Sequence, residues 1–238
     1  MNMARNKRIL LVLLAVVFLL AGCKMWLPWG KKAEMARATP EGLYQQGLEE
    51  YKDGSYKRSV ELFQRVKEEY PLSPLAIMAE IGIADSFFSG KEYPEAGLAY
   101  GEFLNLHPTN ENLPYVMYQI GMSYYNQITT IDRDQSEAFK ALKEFERLIA
   151  RFPGSKFSVM AEKMVRDCKK AMGDQEFYVG EFYFKIKQYR AALRRFEKIA
   201  RDYANVGLDD KVSRFIGETK RRIAKTEAKR GPVEKKPQ

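Results

Sequence analysis

The chain has 238 residues, 45% of them hydrophobic and 30% charged, with 40 Lys and Arg against 31 Asp and Glu, for a formal net charge of +9. One histidine and two cysteines cannot build a zinc site of the Cys/His type, and a Ser/His/Asp or Cys/His set would have to form around His107, which precedes Pro108. No glycine-rich phosphate loop follows a strand pattern, and carboxylate pairs such as Glu49-Glu50 and Glu68-Glu69 fall on outward helix faces, so a non-enzymatic protein without a cofactor is expected.

The first segment carries Arg5, Lys7 and Arg8, then runs apolar from Ile9 to Leu20. A spanning helix needs roughly 20 apolar residues, so this shorter run reads as a signal peptide over residues 1–22. Leu20-Ala21-Gly22-Cys23 resembles the bacterial lipobox, which implies that Cys23 carries diacylglycerol and an N-acyl chain. Two or three acyl chains hold a protein firmly to a bilayer where one does not. Lys24 stands where inner-membrane retention favours aspartate, so an outer-membrane address is implied. Residues 23–39 read as a lipidated tether, with Trp26, Leu27 and Trp29 beside Lys24, Lys31 and Lys32, a composition suited to the headgroup zone.

From residue 40 one helical motif repeats. Tyr56, Val60, Phe63, Val66 and Tyr70 are spaced by 4, 3, 3 and 4. The same steps give Tyr93 to His107, Ala138 to Phe152, and Tyr189 to Tyr203, each an apolar stripe on a helix of about four turns. Proline follows the first three stripes, at Pro71, Pro108 and Pro153, and stops the helix because the residue before it is pushed out of the α region. Each stripe is preceded by a second helical pattern in which a small residue comes three or four positions before an aromatic, as in Gly47 and Tyr51 or Gly180 and Tyr183. That spacing predicts close helix–helix approach with the aromatic beside the contact. Turns at Lys52-Asp53-Gly54-Ser55 and Ser89-Gly90-Lys91 join the pairs.

Helix, turn, helix and proline is the tetratricopeptide pattern, matched in the first copy by Leu43, Gly47, Gly54, Tyr56, Phe63 and Pro71, with Ser59 where alanine is usual. The expected fold is therefore all-α, a superhelix of antiparallel helix pairs over residues 40–228. The intervals between stripe starts at 56, 93, 138 and 189 exceed the regular repeat of about 34 residues. The excess predicts a widened turn near Asn126–Glu137 and one long helix from Ser155 to about Lys187, bent near Gly173 or Gly180. Leu208 to Ala228 reads as a helix covering the open end of the array. From Lys211 onward ten basic residues face three acidic ones, and residues 229–238 read as a disordered basic tail. For an envelope lipoprotein this basic end suits anionic lipid or an acidic protein better than nucleic acid. Cys168 has no partner once Cys23 is acylated and reads as a half-buried helical thiol.

YVMYQIGMSYY (Tyr115–Tyr125), DRDQSEA (Asp132–Ala138), FERLIARFPGSKF (Phe145–Phe157) and EFYVGEFYFKIKQYRAALRRFEKI (Glu176–Ile199) resemble, in order, the BamD family of outer-membrane assembly lipoproteins. The resemblance implies a scaffold facing the periplasm that binds the periplasmic domains of BamA and unfolded outer-membrane proteins, alongside other lipoproteins of the assembly machine. It implies that Arg195 contacts BamA, with Arg194 beside it, and that Tyr70 lies near the substrate signal. Tyr56 and Tyr93, with Tyr44 and Phe88, complete a peptide-facing N-terminal half. Tetratricopeptide lipoproteins of pilus-secretin assembly, or adaptors of cell-wall enzymes, share the lipobox and the helix pairs and stand as the alternative.

Overall fold

A computed structural model describes residues 39–230. The signal peptide, Cys23, the tether before Thr39 and the tail beyond Arg230 lie outside the described residues. Among those described, nine helices and no strand occur: α1 (Pro40–Lys52), α2 (Tyr56–Glu69), α3 (Pro74–Ser89), α4 (Tyr93–Leu106), α5 (Leu113–Tyr125), α6 (Ser136–Arg151), α7 (Lys156–Lys185), α8 (Tyr189–Asp202) and α9 (Asp209–Arg230). Each packs on the next, and α1 also touches α3 while α5 touches α7. The fold is the expected all-α array of helix pairs, with the first helices of successive pairs adjoining along one face.

Local chemistry sets the ends. Thr39, Ser73 and Ser155 cap α1, α3 and α7, accepting the backbone N–H of Gly42, Leu75 and Ser158, which satisfies donors the first turn leaves open. Pro40 and Pro74 open α1 and α3, where a missing N–H costs nothing. The turns inside the first, second and fourth pairs place one residue in the left-handed region, two positions before the next helix: Gly54 (φ 78°), Lys91 (φ 63°) and Lys187 (φ 64°). In the second turn it is Lys91, not the neighbouring Gly90 (φ −73°), that adopts it.

The small residues of the first helices serve the neighbouring helix. A Cβ added at Gly47 or Gly82 would lie 2.8 or 2.7 Å from the Phe63 ring, so that ring is held between α1 and α3. Gly121 receives Phe145, and Gly180 receives Phe196, in the same way. Of the aromatics expected beside the contact, Tyr124 and Tyr183 pack against the clusters that hold Phe145 and Phe196, while Tyr51 sits at a turn. Tyr51, Phe88 and Phe184 each meet the first ring of the following helix, Tyr56, Tyr93 and Tyr189, with centroids 5.7, 5.4 and 5.4 Å apart and edges toward faces. These edge-to-face pairs close the turn.

Ser59 explains its departure from alanine. Its hydroxyl donates to the Gly47 carbonyl at 2.8 Å and meets Ser86 Oγ at 3.0 Å, and Ser86 donates to the Gly82 carbonyl at 2.7 Å. A buried hydroxyl is thus satisfied and ties α1, α2 and α3 together. The widened turn, residues 126–135, is held by Gln135, whose side-chain amide donates to the carbonyls of Thr130 and Arg133, while Gln175 of α7 donates to the Arg133 carbonyl at 2.9 Å. α7 runs as one helix through Gly173 and Gly180, which admit Leu208 and Phe196. α9 extends two residues past the expected boundary, to Arg230.

Candidate functional site

The first helices of three pairs line a groove at the N-terminal end, with a cavity of about 200 Å³. Tyr44 and Leu48 come from α1, Met78, Ile81 and Asp85 from α3, and Tyr115 from α5. Tyr44 packs at a tilt against Phe63, ring centroids 5.3 Å apart, and Phe63 also lines the cavity. Asp85 is the one charged residue of the wall. Its Oδ1 accepts the hydroxyls of Tyr100 and, at 2.6 Å, Tyr115. Burial raises the Asp85 pKa, and the two hydroxyls oppose that rise by stabilising the carboxylate. The same burial, reinforced by the nearby carboxylate, pushes both tyrosines far up. The groove is mostly apolar, with Asp85 as its one charged group, held in place by two hydroxyls.

Of the three tyrosines expected at a substrate site, none lines this cavity. Tyr56 and Tyr93 belong to the aromatic pairs at the turns, and Tyr70 caps α2, half-buried against the core formed by Leu43, Leu62, Phe63 and Val66. Tyr44, named with the peptide-facing half, does line it.

At the other end, Arg195 Nη1 lies 2.9 Å from Glu176 Oε2, and Lys198 Nζ lies 2.5 Å from Glu176 Oε1. Arg195, which the resemblance places at a partner contact, spends one arm on an internal acid while its side chain stays 42% exposed. Hydrogen bonding to Glu176 raises the Lys198 pKa and keeps the ammonium charged. Arg194 is exposed, forms no ion pair among the described residues, and stands between two clefts. One, of about 400 Å³, is shared with Lys187, Arg190 and Ile223, and the other with Tyr183, Arg195 and Lys198. α7 exposes Tyr178 and Phe182, four residues apart, and its C-cap Ile186 continues the stripe. The two clefts thus gather Lys187, Arg190, Arg194, Arg195 and Lys198 against one lining acid, Glu227, which pairs with Arg190. Glu176 escaped the sequence reading because it reads as one more helical charge; its one signal is its spacing, three residues after Gly173 and four before Gly180, which puts it on their face of α7.

Among the described residues no cluster of three metal-ligating side chains occurs, and no helix is long and apolar enough to cross a membrane. Cys168 is fully buried rather than half-buried, and burial pushes its thiol up to about 12, with Asp167 adding to the shift.

The profile of the YfiO family, described as "Outer membrane lipoprotein", matches residues 36–231. The chain is 30% identical over 197 residues to the outer membrane protein assembly factor BamD of Rickettsia prowazekii, covering 82% of this chain and 76% of the relative. It is 29% identical over 175 residues to the factor of that name from Neisseria meningitidis serogroup B, at 69% and 66% coverage, and 25% identical over 159 residues to that of Caulobacter vibrioides, at 67% and 52%. The family match takes in the whole helical array, groove and basic end included. The chain belongs to the YfiO family of outer membrane lipoproteins.

Proposed function

We propose that this chain is a lipid-anchored scaffold of outer-membrane protein assembly, facing the periplasm, with a client-binding groove at its N-terminal end and a subunit-docking surface at its C-terminal end. The observation that carries the reading is the family match over residues 36–231, which takes in all nine described helices. Rigid helix pairs give such a protein extended surface without chemistry of its own. Arg194, Arg195 and Lys198 meet a BamA-type periplasmic domain through its carboxylates, and unfolded outer-membrane proteins enter the groove as extended segments. Other lipoproteins of the machine accompany it, acylation of Cys23 supplies the anchor, and no cofactor takes part.

The test is purification of the full-length chain from a Gram-negative host in mild detergent, with identification of the proteins that co-elute. Recovery of a BamA-type barrel protein is expected. Its loss in Arg194→Glu, with melting midpoint unchanged, identifies the docking surface, since Arg194 holds no internal acid. Recovery of a secretin or of cell-wall enzymes in its place rejects the reading.

A further inference from the structure

Asp85 is an unusual group to find in an apolar groove. Neither the wall of the cavity nor its own hydrogen-bonding partners include a cation. Both tyrosine hydroxyls donate to Oδ1, and no described residue donates to Oδ2. No buried side-chain oxygen or nitrogen among the described residues lacks a partner, so Oδ2 is not sealed in the core and opens toward the groove that Asp85 lines. Tyr100 and Tyr115 come from different helices, α4 and α5, and Gln119 in turn donates to the Tyr115 hydroxyl at 3.1 Å. The carboxylate is thus oriented from two sides, with one oxygen presented. A charge set in a poorly solvated site gains most from an opposite charge delivered with its own hydrogen bonds.

We propose that Asp85 is a specificity-determining residue of the N-terminal groove, selecting client segments that place a Lys or Arg side chain against its free oxygen while apolar side chains lie along Tyr44, Leu48, Met78 and Ile81. The inference rests on the reading of the groove as a client site. In an extended segment alternate side chains share one face, so a basic residue flanked at two-residue spacing by apolar ones fits this wall. A segment bringing a carboxylate to the same place is repelled.

The experiment uses the full-length, detergent-purified chain and fluorescence anisotropy with a labelled ten-residue peptide of alternating apolar and polar residues. The peptide carries a central arginine, and its comparator carries citrulline, which keeps the shape without the charge. The wild-type chain is expected to bind the arginine peptide about tenfold more tightly or better, as for a charged hydrogen bond. Asp85→Asn is expected to lose that preference and to keep its affinity for the citrulline peptide. Asparagine Oδ1 still accepts both tyrosine hydroxyls, so the variant melts no lower than wild type. Equal wild-type affinity for the two peptides, or a preference that survives in Asp85→Asn, overturns the assignment of Asp85. Met78→Trp fills the groove from an exposed position and weakens both peptides if they bind there. Binding indifferent to Met78→Trp, or no binding of either peptide by the wild-type chain, overturns the groove itself.

Discussion

Arg195 and Glu176 form an ion pair of unequal burial: Nη1 and Oε2 are 2.9 Å apart, and the acid side chain is 7% exposed against 42% for the arginine. Lys198 completes the site from one turn further along α8. Two half-exposed cations thus neutralise one buried carboxylate. Removing either leaves Glu176 with the other, and the cost is about 1 kcal/mol, in the range of an exposed pair. Removing both strands a buried charge, and about 3 kcal/mol is expected. Denaturant unfolding of Arg195→Ala, Lys198→Ala and the double variant checks this through the coupling between them. Strictly additive losses reject the shared site. It follows that Arg195→Glu is a poor probe of partner binding, because it sets a second carboxylate against the first.

The helical glycines divide into two classes with opposite expected responses. At Gly121 a Cβ would lie 2.5 Å from Phe145 Cε1, inside a core aromatic contact, so Gly121→Ala is expected to destabilise by about 1–3 kcal/mol through overpacking. Gly101 in α4 has nothing within 4 Å of its added Cβ. Gly101→Ala is expected to stabilise by about 0.5–1 kcal/mol by restricting the unfolded chain. Thermal melts of the two variants should move in opposite directions.

Lys91 and Lys187 hold the left-handed turn position that Gly54 holds in the first pair. A side chain there costs about 1 kcal/mol, and Lys91→Gly or Lys187→Gly relieves it at the expense of a more flexible unfolded state. A melting midpoint at or above that of wild type is expected for each. A clear fall would show that the lysine side chain makes a contribution larger than the strain.

The Cys168 thiol is pushed from 9.0 up to about 12 by burial. A group whose folded pKa lies above its unfolded value contributes stability fully below the unfolded pKa and loses it as pH rises toward the folded one. Stability should therefore fall between pH 9.0 and about 12, and the raised phenols of Tyr100 and Tyr115 act in the same direction. Melts across that range check the slope, and Cys168→Ala should reduce it. At about pH 8 the native thiol should resist alkylation and react only in denaturant, since the thiolate is the reactive form.

Cys23→Ala is expected to abolish incorporation of labelled palmitate and to release the chain from the membrane fraction, because the acyl chains supply the anchoring energy. Retained palmitate would move the acylation elsewhere.

The sequence by itself determined the helix order, the long seventh helix, the widened turn before α6 and the covering helix α9, because 3.6-residue periodicity, prolines and capping residues act within one or two turns of chain. It also marked Gly47, Gly121 and Gly180 as points of close approach. Only the tertiary structure decided which ring fills each gap. Phe63, Phe145 and Phe196 come from the next helix, while Tyr51, Phe88 and Phe184 close the turns. It likewise decided that Lys91 rather than Gly90 turns left-handed, that Tyr56 and Tyr93 staple turns, and that Asp85 meets hydroxyls 15 and 30 residues away. Glu176 reads in sequence as one more charge on a helical surface, yet the approach of α8 buries it under Arg195 and Lys198. Burial of a polar group depends on the angle and spacing between helices, and those are set by the sum of core contacts rather than by any local pattern.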